Sequence, residues 1–133
     1  MRKILIDTSI FIEMSRMGKG QYLQLLGYAD QSGAMLLTSV IVISEFWAGD
    51  SMRSKIGQFK AQKLFADITP ILVDEDLAKK AGVIRHKTKI ELGDALIAAT
   101  ALAQNAQLAT LNGTHFKNIP GLKLWQPPEL RPI

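Results

Sequence analysis

Cysteine is absent from the 133 residues. That removes disulfides, thiolate metal sites and a cysteine nucleophile together, and it fits a reducing compartment. Long apolar runs are missing too. The longest stretches, around Met35 to Ile43 and Ala95 to Ala103, fall well short of the roughly 20 residues that a bilayer span requires. Arg2 and Lys3 lead into a strand pattern with no secretory apolar region or cleavage site behind it, so the expected location is the cytoplasm. There is no glycine-rich phosphate motif, no internal repeat and no biased, low-hydrophobicity tail. Only the end, with Pro127, Pro128 and Pro132, reads as loose.

What is present is the material of one globular domain over residues 1–133, long enough to bury a core of its own. The net charge of +4 and pI near 9.5 permit binding to a polyanion without demonstrating it. The stretch from Ile90 to Asn112 organises the rest. From Ala95 to Ala103 its only polar residue is Thr100, and a helix apolar on all faces belongs in the middle of a domain. It then closes with a short strand, Leu108 to Leu111, on Asn112 and Gly113. Further strands are expected at Lys3 to Ile6, Ala34 to Thr38, Thr69 to Val73 and Leu122 to Trp125, with helical patterns between them. Among these is a mixed-charge helix from Ser51 to Ile68 whose buried face would be Ile56, Phe59, Leu64 and Phe65. Strands and helices that alternate predict an α/β three-layer sandwich: a central parallel sheet of four to five strands with helices on both faces.

A few polar residues stand at odds with their surroundings. Asp7 ends the first strand, where it could cap the next helix or face a ligand at the strand's carboxyl end. Glu45 sits among Val42, Ile43, Phe46 and Ala48, so it must reach solvent, pair with a cation or bind a metal. Asp94 opens the apolar helix, and Asn112 follows the fourth strand. The run Asp74-Glu75-Asp76 reads as helix capping, and Lys79, Lys80, Arg85, His86, Lys87 and Lys89 form the densest basic patch. In a parallel sheet, Asp7, Glu45, Asp94 and Asn112 can converge at one edge. Convergent carboxylates repel unless a cation lies between them, and hard oxygen donors suit Mg²⁺ or Mn²⁺.

DTSIFIE from Asp7, SEFWAG from Ser44, GDALIAATALA from Gly93 and TLNGTHF from Thr110 together resemble, in order and spacing, the motifs of the PIN-domain ribonucleases. The likeness is closest to the VapC-type toxins of toxin-antitoxin pairs, and it covers nearly the whole chain. The resemblance implies a Mg²⁺-dependent (or Mn²⁺-dependent) endoribonuclease with Asp7, Glu45 and Asp94 as metal-binding and catalytic acids. Thr8 or Ser9, and Thr110, match hydroxyl positions beside the site. It also implies a homodimer and a cognate antitoxin whose tail occupies the groove. The fourth motif departs from the fullest pattern: Asn112 stands where many members have Asp, which favours one ion over two. His115 stands near a position often acidic, as a general acid or as an ordinary surface residue. Arg85, Lys87 and Lys89 are the expected contacts to RNA phosphates. The rival from another class is a PIN-fold module that binds RNA or protein without cutting. A phosphatase or phospho-receiver fits poorly, because Ser9 stands where the former needs a second acid.

Overall fold

The computed structural model describes residues 1–127; Pro128 and Pro132 of the expected loose end lie outside them. In chain order the elements are β1 (Lys3–Ile6), α1 (Thr8–Met17), α2 (Gln21–Ser32), β2 (Met35–Ser39), α3 (Val40–Trp47), α4 (Lys55–Phe65), β3 (Thr69–Ile71), α5 (Glu75–Thr88), α6 (Leu92–Ala103) and β4 (Gln107–Ala109). The strands form one parallel sheet in the order β3-β2-β1-β4. In register, Leu5 pairs with Leu37 on one side and Leu108 on the other. Being central and covered on both faces, β1 reads as an unbroken apolar run, with Ile4, Leu5 and Ile6 fully buried.

The order of the strands determines where a site can form. The chain steps from β1 to β2 to β3 in one direction, then returns past β1 to β4. Crossovers between parallel strands are right-handed, so the reversal places α5 and α6 on the face opposite the earlier helices. The crevice between the carboxyl ends of β1 and β4 is therefore the topological switch point, where open α/β sheets bind ligands.

The central helix is buried as its composition predicts. One side of α6 gives Ile97, Ala98 and Ala101 to the main core, while Ala95 and Ala99 pack on Leu77 and Ala81 of α5. Alanines allow the two helices to approach closely. Thr100 is fully buried but satisfied, its hydroxyl donating to the Leu96 carbonyl at 2.7 Å.

The boundaries differ from the expected ones where side chains intervene. The mixed-charge stretch from Ser51 is not one helix: a 3₁₀ turn, Asp50–Arg53, precedes α4, because the Ser54 hydroxyl accepts from Gly57 N at 3.0 Å and starts a new helix. Strand β3 stops at Ile71, short of the expected Val73, and Pro70 is tolerated because β3 lies at the sheet edge. Leu122 to Trp125 is not a fifth strand. It makes a single bridge, Leu124 to Leu108, through Leu108 N to Lys123 O and Trp125 N to Leu108 O, both at 2.8 Å. Pro127 comes just after Gln126 and has no N–H with which to continue a ladder. The acidic run before α5 does cap: Asp74 Oδ1 accepts from Leu77 N at 2.8 Å.

Candidate active site

Asp7 is the first residue beyond β1, and its N–H donates to the Ala109 carbonyl at 2.9 Å, tying the ends of β1 and β4 together. It occupies the cap position of α1 in extended backbone, yet its side chain caps nothing. Instead Oδ2 accepts the Thr110 hydroxyl at 2.7 Å and the Ser9 hydroxyl at 3.1 Å. The capping explanation of Asp7 therefore fails, and what remains is a carboxylate only 5% exposed, aimed across the switch-point crevice. Ser9 and Thr110 also bind the loop after β4: Ser9 Oγ accepts from Leu111 N and Thr110 Oγ1 from Asn112 N, both at 3.0 Å.

Glu45 lies on α3, whose apolar side buries Val42 and Phe46. The residue as a whole is exposed, but its carboxyl group turns toward the crevice, where Oε1 accepts the Thr8 hydroxyl. Its other oxygen faces the backbone of Gly93. Among the described residues no ion pair joins Glu45 to a cation. Partial burial raises its pKa above the ordinary carboxylate value; the Thr8 hydrogen bond opposes the shift, and the charges of Asp7 and Asp94 add to it.

Asp94 stands in the first turn of α6, which begins at Leu92 with Glu91 as its cap residue. Its side chain is mostly buried, and Oδ2 lies 3.4 Å from His115 Nδ1. Burial and then the charge of Asp7 push its pKa up, with His115 pulling it back. The expected acids thus come from the end of β1, from α3 and from the start of α6, and they line one open cavity of about 530 Å³ with Asn112 and His115. Thr8 and Ser9 line it too. His115, ambiguous in sequence, is placed directly against Asp94.

Glu91 also lines the cavity and was not singled out in the sequence. Its signal was available: it stands one helical turn before Asp94, so two acids face the same way at a helix start. Among the described residues no group of three or more His, Asp or Glu side chains is drawn tightly enough to enclose a metal ion. Asp7 and Glu45 are held by hydroxyls instead, and Asp94 by His115. That arrangement fits a hard cation that keeps several of its waters and takes one or two carboxylates directly, as Mg²⁺ does.

The basic patch divides. Arg85 and Lys89 border a concavity of about 430 Å³ with Gly82, His86 and Leu92, whereas Lys87 does not. Lys89, in left-handed conformation, ends α5 and turns the chain toward α6, and Arg85 Nε donates to the Ile90 carbonyl at 3.3 Å. Leu92, on the basic hollow, is the chain neighbour of Glu91 and Gly93, both on the acidic cavity.

The PIN domain family model matches residues 4–122. Ribonuclease VapC19 of Mycobacterium tuberculosis is 33% identical in an alignment 129 residues long that covers 93% of this chain and 98% of that protein. Among solved structures, the VapBC2 complex of Rickettsia felis, bound to a DNA fragment from its promoter, superposes with a TM-score of 0.81 at 26% identity. The match takes in 93% of this chain and 99% of that one. Mycobacterium tuberculosis VapC20, described as a sarcin-ricin loop cleaving toxin, shares the fold with a TM-score of 0.68 at 20% identity, over 93% of this chain and 99% of its own.

Proposed function

The chain belongs to the PIN-domain family, and on that footing we propose that it is a Mg²⁺- or Mn²⁺-dependent endoribonuclease acting as the toxin of a type II toxin-antitoxin pair. The observation that carries this reading is the convergence of Asp7, Glu45 and Asp94, from three separate elements, on one cavity at the switch point of the sheet. A divalent cation, when bound, supplies positive charge to a phosphodiester and lowers the pKa of a nearby water. Asp7 and Asp94 hold that cation. Asp7 is kept in place by Ser9 and Thr110, and Asp94 is oriented by His115.

Glu45 is the proton acceptor for the attacking water, or a further ligand. Its raised pKa, caused first by burial, makes it a stronger base than an ordinary carboxylate. Asn112 on the cavity wall orients a water or a phosphate oxygen through its amide and adds no charge, which favours a single ion. The RNA backbone enters along Arg85 and Lys89, whose hollow includes Leu92 at the start of α6. Among the described residues no helix is long and apolar enough to cross a membrane, and a cytoplasmic protein acting on RNA is the corresponding reading. The VapBC2 complex of Rickettsia felis supports a cognate antitoxin here, and a homodimer is what the family resemblance implies. Asp7→Asn keeps the volume and removes the charge. It should abolish metal-dependent RNA cleavage with the circular dichroism spectrum intact, and unchanged cleavage would show that the site is elsewhere.

A further inference from the structure

Gly93 is an anomaly in α6. The helix is otherwise rich in alanine, the residue that favours helix most, and Gly93 does not adopt the left-handed backbone that would require glycine. A β-carbon placed there would lie 2.9 Å from Glu45 Oε2 and 3.8 Å from Glu45 Cδ, and would meet nothing else across the fold within 4 Å. The absent side chain therefore makes room for one group, the Glu45 carboxylate. Since Oε1 of that carboxylate is bound by Thr8, the group is held between the Thr8 hydroxyl on one side and the bare backbone of Gly93 on the other.

We propose that Gly93 is a positioning residue for Glu45: by presenting no side chain, it lets the carboxylate lie against the first turn of α6, on the cavity it shares with Asp7 and Asp94. Alanine at this position would push the carboxylate away from the cavity while leaving the helix intact. The inference rests on the reading of Glu45 as part of the cation site.

The test uses the full chain, free of any partner, with Mn²⁺ alone titrated calorimetrically into wild type, Gly93→Ala, Glu45→Asp, the double variant and Asp94→Ala. Thermal melts are taken without metal. Gly93→Ala should melt at or above the wild-type temperature, because alanine is the better helix former, yet bind Mn²⁺ about tenfold to a hundredfold more weakly. Glu45→Asp shortens the side chain by one methylene, so that its carboxylate does not reach Gly93. Adding Gly93→Ala to Glu45→Asp should therefore cost far less affinity than adding it to wild type, a non-additivity that a merely structural role would not produce. Mn²⁺ affinity in Gly93→Ala equal to wild type, a lowered melting temperature, or strictly additive losses would each overturn the inference. Loss of binding in Asp94→Ala alone leaves the cation site standing whatever Gly93 does. Absence of Mn²⁺ binding in wild type would overturn both the cation site and the role of Gly93.

Discussion

Replacing Thr110 by valine keeps the shape of the side chain and deletes its hydroxyl. That hydroxyl donates to Asp7 Oδ2 at 2.7 Å and accepts from Asn112 N at 3.0 Å. Asn112 is exposed, so its N–H finds water at little cost. Asp7 is only 5% exposed, and water cannot readily take the place of its lost donor. Ser9, at 3.1 Å, would be its remaining hydroxyl partner. A hydrogen bond to a charged group contributes about 1.5–3 kcal/mol net, so the metal-free chain should lose about 2 kcal/mol. With an unfolding entropy of roughly 2.1 cal/mol/K per residue over 133 residues, the midpoint should fall by about 7 °C. Differential scanning calorimetry in EDTA reads this directly. Thr114→Val, at an exposed threonine of the following turn, is the control that should leave the midpoint unchanged. A Thr110→Val protein that melts with wild type would refute the view that this hydroxyl holds Asp7.

The acids of the cavity predict a pH signature. Glu45 and Asp94 are held above their ordinary values of 4.5 and 3.8, so the native state binds their protons more tightly than the unfolded chain does. Their stabilising contribution is complete below those values and is lost as pH climbs through the raised ones. In EDTA, Asp94→Asn should therefore gain on wild type in melting temperature as pH rises through that window, and Mg²⁺ should reverse the order. A wild type that gains on the variant in EDTA would contradict it. For RNA, Arg85→Ala and Lys89→Ala should each weaken binding regardless of sequence and reduce the salt slope by about one, with a smaller effect from Lys87→Ala. Fluorescence anisotropy across salt concentrations measures this, and equal effects at all three positions would contradict the division of the patch.

The convergence of Asp7, Glu45 and Asp94 could be read from the chain because it follows from topology. Once strands and helices alternate, the ends of parallel strands and the starts of the following helices share one edge. The burial of α6 could be read because nine residues with a single hydroxyl leave no wet face. The family resemblance put the hydroxyls of Thr8, Ser9 and Thr110 beside the site, but which acid each one holds could not be read. Thr110 meets Asp7 across 103 residues of sequence, and no local pattern encodes so distant a pairing. The Ser54 break is a local signal that was open to reading, but the apolar positions Ile56, Phe59, Leu64 and Phe65 outweighed it; in the fold Ile56 and Phe59 are exposed. Lys87 was grouped with Arg85 by proximity in sequence, whereas residues two apart on a helix point to different sides. The apolar run at Leu122 to Trp125 has strand composition but only one residue in register before the prolines.

The most direct measurement is cleavage of total cellular RNA by the purified chain, freed of any antitoxin, in Mg²⁺ or Mn²⁺ against EDTA, with Asp94→Ala alongside. Discrete fragments that need the metal and vanish in the variant are the predicted result. A folded protein that binds RNA and yields no fragments with either metal would contradict the account, and would leave a PIN-fold module that binds without cutting, with Asn112 as the first residue to restore to aspartate.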